Sequence, residues 1–177
     1  MTDNFIILPV LVHMFTAIIA IFFWQKVNIL RAISISGSSL GLVLALQLFL
    51  KTRDAGILTM QAGDWPAPFG ITFVSDTFSS VLVLLTAIVA LSVSLFSTAA
   101  VSTNRIRYGY FAIFHFLIMG LNGAFLTGDI FNLYVWFEIV IISSFVLMTL
   151  GGRKPQMEGA IKYVARNMLA SVIFLTA

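Results

Sequence analysis

Residues 130–150 read IFNLYVWFEIVIISSFVLMTL, an apolar stretch whose one charged residue is Glu138. A helix needs about 20 mainly apolar residues to cross the hydrocarbon core of a bilayer, and this stretch has that length. Similar stretches predict further spans at about 5–24, 29–50, 73–101, 109–127 and 160–177. The sequence therefore predicts an all-α protein, a polytopic bundle of about six transmembrane helices that forms a single membrane domain over residues 1–177.

The composition agrees with a protein that faces lipid. The apolar fraction is 60% and the charged fraction 10%, whereas soluble domains have about 45–50% and about 25%. The chain contains no cysteine, which excludes disulfides, thiolate metal sites and a cysteine nucleophile. It contains no phosphate-binding loop, nucleophile elbow or zinc-ligand spacing. We therefore expect no enzyme, no cofactor and no metal site, and the lack of a basic run argues against nucleic acid as a partner.

The basic residues divide unequally between the two sides of the predicted bundle. The loops at 25–28, 102–108 and 151–167, which share one side, hold with their flanks eight of the ten basic residues: Lys26, Arg31, Arg105, Arg107, Arg153, Lys154, Lys162 and Arg166. The other side holds Lys51 and Arg53 together with most of the acidic residues. Because loops rich in Lys and Arg stay in the cytoplasm, the sequence predicts a multi-pass protein of the plasma membrane with its N-terminus outside.

Two turns outside the membrane have recognisable sequence patterns. Residues 58–62 alternate apolar and polar side chains and precede Gly63 and Asp64, which predicts a short external β-hairpin between the second and third spans. An irregular loop fits these residues nearly as well. Before the fifth span, Gly128 suits the position after one helix and Asp129 the N-cap of the next; ion entry is the alternative role for Asp129.

Glu138 is the strongest candidate for a functional residue. It lies eight residues into its span, about 12 Å along the helix, where an ionisable side chain costs on the order of 3 kcal/mol on insertion. No residue on its own helical face carries a positive charge, so its partner has to come from another helix or from water. A carboxyl whose pKa changes as its partner moves suits a proton relay. The alternative is a structural carboxyl that is hydrogen-bonded between helices.

Other ionisable residues in the spans are secondary candidates. Arg166 lies four residues after Lys162 on one helical stripe. Its side chain either snorkels to the cytoplasmic interface or takes part in an ion path. His115 either bridges through water towards Glu138 or makes a hydrogen bond that packs helices together. We expect His13 to be structural.

The chain also resembles a known family. Residues 125–138, FLTGDIFNLYVWFE, resemble the fifth-helix signature of the antiporter-like proton-translocating subunits. Such subunits occur in Mrp-type multisubunit sodium/proton antiporters, in complex I and in membrane-bound hydrogenases. Residues 63–71, GDWPAPFGI, and 151–164 are similar to the corresponding segments of the D subunits of Mrp-type antiporters.

The resemblance implies a function and a site. Glu138 aligns with the essential glutamate of the family, which pairs with a lysine on a seventh helix. Family members are much longer, so we expect this chain to be the N-terminal part of a larger antiporter-like subunit, with that lysine beyond residue 177. The implied function is exchange of Na+ for H+ across the lipid bilayer, in complex with the other subunits of a multisubunit antiporter. The alternatives are a proton-pumping subunit of complex I or of a hydrogenase, and a structural membrane subunit without an ion path.

Overall fold

The computed structural model describes residues 3–65 and 69–176. In these residues the α-helices are α1 (Leu8–Phe22), α2 (Val27–Ala55), α3 (Thr77–Ala100), α4 (Thr103–Arg107), α5 (Tyr110–Leu126), α6 (Ile130–Thr149) and α7 (Lys154–Thr176). The strands β1 (Leu58–Gln61) and β2 (Thr72–Ser75) form one antiparallel pair. The predicted helical membrane bundle, with a small hairpin between its second and third spans, is confirmed.

Four helices are long and apolar enough to cross a membrane: α1, α2, α3 and α6. The first of these spans includes the helical turn that precedes α1 and begins at Asn4. Helix α5 is also apolar but has only 17 residues, which is near the lower limit for a span. Helix α7 has 23 residues, but charged side chains along its first half keep it out of this set of four. These helices correspond to the six predicted spans, although α7 begins at Lys154 rather than near residue 160.

The hairpin is built differently from the predicted one. Strand β1 pairs with β2, so that Leu58 lies opposite Ser75, and the predicted turn at Gly63 and Asp64 falls in a longer connection. The prediction that the third span begins at residue 73 is wrong, because residues 72–75 form a strand. An apolar run by itself does not distinguish a short strand from the start of a helix. Residues 66–68, which belong to the loop that resembles the family, lie outside the described residues.

Helix α3 begins at a well-defined cap after this strand. The carboxylate of Asp76 accepts a hydrogen bond from the Ser79 backbone N–H, with 2.7 Å between the two atoms. The Ser79 hydroxyl in turn accepts one from the Asp76 backbone N–H, at 2.9 Å. This reciprocal capping box satisfies two backbone donors and fixes where the helix starts.

The two ends of the bundle carry different features. At one end, the hairpin lies beside the start of the chain and the turn between α5 and α6: the backbone N–H of Asp3 donates to the Thr59 carbonyl and that of Gly128 to the Thr72 carbonyl. At the other end, residues 25–28 line a cavity together with Thr103 and Arg107, and the Arg105 guanidinium lies against Gly151. The three basic loops therefore meet at one end of the bundle, as the sequence predicted.

Three glycines let the helices approach closely at two interfaces. A Cβ atom at Gly41 of α2 would lie 2.7 Å from Nε2 of His13 in α1, so only glycine leaves room for this ring. At the interface of α5 and α6, a Cβ at Gly120 would lie 2.9 Å from Cγ2 of Val140, and one at Gly123 would overlap the Trp136 ring. Close packing at small residues is typical of helices in membranes, and here it brings α6 with Glu138 against α5.

Candidate functional site

Glu138 lies at the interface of α6 and α7. Its side chain is half-buried, and its carboxylate accepts a hydrogen bond from the hydroxyl of Ser171 in α7. A cavity of about 350 Å³ lies between the same two helices; it is lined mainly by apolar and aromatic side chains, with Tyr163 and Asn167 among its polar groups. The arrangement provides a carboxyl group with one neutral hydrogen-bond partner, Ser171, which also lines the cavity.

The turn before α6 sets the position of Glu138 along the helix. Asp129 is the N-cap residue, and its carboxylate accepts a hydrogen bond of 3.0 Å from the Asn132 backbone N–H. The Asn132 amide donates to the Thr127 hydroxyl at 2.8 Å. Gly128 follows α5, but its N–H donates to the carbonyl of Thr72 rather than to a carbonyl of α5. The same turn therefore joins α6 to the hairpin.

The partner of Glu138 in the described residues is neutral. Within residues 3–65 and 69–176, the salt bridges join Lys51 to Asp3 and Arg53 to Asp54, and both involve the last five residues of α2. The sequence predicted a partner from another helix but did not point to Ser171. The available signal was weak: a single serine in the apolar run 168–175 of α7.

Lys162 and Arg166 lie on the exposed surface of α7. In the part of the chain that the structure describes, neither forms a salt bridge or a side-chain hydrogen bond. The structure therefore does not bring these cations to the Glu138 carboxylate. Exposure of Arg166 is what the snorkelling alternative requires.

His115 belongs to a different cluster from Glu138. Its Nδ1 lies 2.9 Å from Nδ1 of His13, and its Nε2 lies 3.0 Å from Oγ of Ser34. Ser34 Oγ is in turn 2.8 Å from Oγ of Ser94, and all four side chains are buried. This geometry matches the helix-packing role for His115 and not a bridge towards Glu138. The sequence did not predict the pairing of the two histidines, which are 102 residues apart.

The fold and the Glu138 site together define a class: a polytopic helical membrane protein with an ionisable carboxyl group between two of its helices. Two solved structures are similar to the chain in fold. A chain of the Mrp complex from Dietzia sp. DQ12-45-1b superposes with a TM-score of 0.88 at 26% identity, over 97% of this chain and 32% of that one. A chain of the membrane-bound sulfane sulfur reductase, an archaeal respiratory membrane complex, gives 0.83 at 27% identity, over 94% and 35%.

No protein-family model matches the chain. Comparison with individual sequences does identify relatives. The chain is 41% identical to the D subunit of the Na(+)/H(+) antiporter of Bacillus subtilis (strain 168) and 37% identical to the protein of the same name from Alkalihalophilus pseudofirmus. Each alignment has 173 residues and covers 98% of this chain and 35% of the relative. A putative antiporter subunit mnhD2 of Staphylococcus haemolyticus is 34% identical.

The resemblance seen in the sequence is thereby confirmed: the chain matches the N-terminal part of the D subunits of Na(+)/H(+) antiporters. It spans about a third of the length of these relatives. All three relatives carry the names of antiporter subunits, which agrees with a transporter subunit rather than an enzyme.

Proposed function

We propose that this chain is the N-terminal part of a D subunit that exchanges Na+ for H+ as one component of a multisubunit Mrp-type antiporter. The observation that carries the proposal is the Glu138 carboxyl, which lies within a membrane-spanning helix and contacts a second helix through Ser171. An ionisable group at this depth is costly and is typical of ion pathways. The match to the D subunits of Na(+)/H(+) antiporters supports Na+ and H+ as the transported ions. It also supports assembly with other subunits.

Glu138 acts as the proton relay in this proposal. When ionised, the carboxylate accepts the hydrogen bond of the Ser171 hydroxyl; when protonated, its own O–H can donate to the hydroxyl oxygen, because a hydroxyl group both donates and accepts. Ser171 therefore serves both protonation states without a change of partner. The adjoining cavity gives room for water or for a mobile side chain to deliver and remove the proton.

Removing the titratable proton tests this role. Glu138→Gln keeps the shape and much of the hydrogen bonding, so we expect the complete subunit to fold and assemble but to lose ion exchange. Glu138→Asp keeps the charge and should retain partial activity. The measurement is the sodium-dependent change of internal pH in inverted membrane vesicles, with assembly checked on native gels. Exchange at the wild-type rate in an assembled Glu138→Gln complex would favour a structural carboxyl.

We also propose that the basic end of the bundle faces the cytoplasm and that the N-terminus lies outside, in the plasma membrane. The support is the gathering of the three basic loops at one end of the bundle. Because the chain has no cysteine, single cysteines can report the sides. In intact cells, we expect an impermeant maleimide to label Asp54→Cys but not Asn104→Cys. The opposite labelling pattern would show that the N-terminus lies in the cytoplasm.

A second candidate function is a proton-pumping membrane subunit of a redox-driven complex. The similarity to a chain of the sulfane sulfur reductase supports it. Mass spectrometry of the chains that co-purify with the complete subunit distinguishes the two candidate functions. Small membrane subunits indicate the antiporter, and hydrophilic subunits with iron–sulfur clusters indicate the redox-driven complex.

A further inference from the structure

A basic cavity lies at the end of the bundle where the three basic loops meet. It has a volume of about 330 Å³ and lies between the start of α2 and helix α4. Three cationic side chains line it: Lys26, Arg31 and Arg107. No Asp or Glu of the described residues lines the cavity, and none of the three cations forms a salt bridge within those residues. The protein therefore leaves the positive charge of this cavity uncompensated.

The groups around the cavity also have unused hydrogen-bonding capacity. Arg31 is partly buried, and its Nε atom has no hydrogen-bond partner among the described residues. A partly buried cation without an acceptor is costly, so an anion beside it would be stabilising. Helix α2 starts at the same cavity, and its N-cap residue Lys26 supplies no side-chain cap. The first backbone N–H groups of a helix have no acceptor within it and favour an anion.

An apolar groove leads from this cavity along the surface between α1 and α2. Its first part, of about 560 Å³, shares the lining residues Asn28 and Ile29 with the basic cavity. Its second part, of about 310 Å³, shares Thr16, Ile19 and Leu40 with the first. The basic cavity and the groove are therefore continuous, and the groove runs from the basic end into the membrane-spanning region.

The groove has the depth of one lipid chain. Ala32 and Ser36 lie between Ile29 and Leu40 on the exposed side of α2, so short side chains form the floor of the groove. From Ile29 to Leu40 the helix rises about 16 Å. Half of the hydrocarbon core of a bilayer is about 15 Å thick. An acyl chain of the leaflet at the basic end would therefore extend about as deep as this part of the groove.

We propose that the basic cavity and the groove bind one anionic phospholipid, with its headgroup against Lys26, Arg31 and Arg107 and an acyl chain between α1 and α2. Basic pockets between membrane helices are typical sites for such headgroups. A zwitterionic lipid would bring its own cation to the three basic side chains, and free phosphate would leave the groove unfilled. Membrane orientation alone requires basic loops, but it does not require that they line one cavity at the end of a groove.

Native mass spectrometry of the complete subunit measures this binding without ion exchange, so its failure is distinct from failure of the Glu138 relay. The delipidated subunit is titrated with phosphatidylglycerol, with phosphatidylcholine and with inorganic phosphate. We expect phosphatidylglycerol to bind at lower concentration than phosphatidylcholine, and inorganic phosphate not to displace it. Lys26→Gln and Arg107→Gln should each weaken binding of phosphatidylglycerol about fivefold. Lys154→Gln is the matched control, because Lys154 is exposed at the same end and does not line the cavity.

A separate pair of variants tests the acyl chain. Ser36→Leu places a branched side chain on the floor of the groove and should weaken binding of phosphatidylglycerol about fivefold or more, as overpacking does. Ser92→Leu is the control, because Ser92 is likewise exposed on a membrane-spanning helix but does not line the groove. Both substitutions add the same apolar side chain to a surface that faces lipid, so only the position differs.

Photo-cross-linking identifies the occupant in the assembled complex. The cross-linker p-benzoylphenylalanine replaces Ile29, which lines both the basic cavity and the groove, and the complex is irradiated in its membrane. We expect the cross-linked product to be an anionic phospholipid. A cross-link to another protein chain would overturn the proposal. So would equal binding of the two lipids, displacement of phosphatidylglycerol by inorganic phosphate, or an equal loss of binding in Lys154→Gln.

Discussion

The hydroxyl of Ser171 in α7 donates a hydrogen bond to the carboxylate of Glu138 in α6. The two residues are 33 positions apart in sequence, and α6 and α7 pack against each other as consecutive helices. A charged group inside a membrane-spanning helix needs such a contact because the lipid offers no hydrogen bonds. In the proposed relay, this contact would couple α7 to the protonation of Glu138.

Ser171→Ala should weaken the proposed relay without abolishing it. A hydrogen bond to a charged group contributes about 1.5–3 kcal/mol, so we expect ion exchange to fall about tenfold or more in vesicles that contain the complete complex. Thr176→Ala is the control on the same helix, because the Thr176 hydroxyl bonds only to backbone carbonyls of its own helix in the described residues. Equal exchange rates for Ser171→Ala and the wild type would exclude Ser171 as a partner of the working carboxyl.

Arg166→Gln should be tolerated. The side chain is exposed on α7 and is long enough to reach the interface from a position inside the span. We expect the exchange rate to stay within about twofold of the wild type, because an exposed charge contributes little interaction energy. Lys162→Gln, one turn earlier on the exposed surface, serves for comparison. Near-complete loss of exchange in a normally assembled Arg166→Gln complex would place the guanidinium in the ion path.

Gly123→Ala should destabilise the interface of α5 and α6. The added Cβ would overlap the Trp136 ring, and overpacking of this kind costs about 1–3 kcal/mol. We expect a lower midpoint of thermal unfolding for the purified subunit in detergent. Gly159→Ala is the matched control, because a Cβ there meets no atom within 4 Å and alanine favours the helix by about 0.5–1 kcal/mol. If both variants unfold at the same temperature, the close approach at Gly123 is unimportant.

Asp76→Ala should lower stability at neutral pH more than at acid pH. The hydrogen bond from the Ser79 backbone N–H lowers the pKa of Asp76 below its usual value. A lowered pKa in the folded state means that the stabilisation is present above the unfolded pKa and is lost as the pH falls through the folded value. Loss of the cap should cost about 0.5–2 kcal/mol at neutral pH.

Thermal unfolding at neutral and acid pH measures the effect of this cap. Asp54→Ala is the control, because Asp54 is exposed and contacts only the neighbouring Arg53 through its side chain in the described residues. A destabilisation of Asp76→Ala that is as large at acid pH as at neutral pH would contradict a role for the ionised carboxylate.

The sequence by itself determined the features that depend on local pattern. The length and apolar content of each span predicted the helices, since a segment in lipid has to satisfy its own backbone hydrogen bonds. The distribution of Lys and Arg predicted that the three basic loops lie on one side. The start of α6 at Asp129 followed from a residue type whose side chain accepts a hydrogen bond three positions later.

Only the tertiary structure decided which side chains meet. Residues 72–75 form a strand because β1 is available to pair with them, although they continue the apolar pattern of a span. Ser171 reaches Glu138, and His13 reaches His115, because of how the helices are rotated and spaced. In a span that is apolar on all sides, periodicity gives little information about that rotation. It is set instead by small residues such as Gly41 and Gly123, which determine where two helices can approach closely.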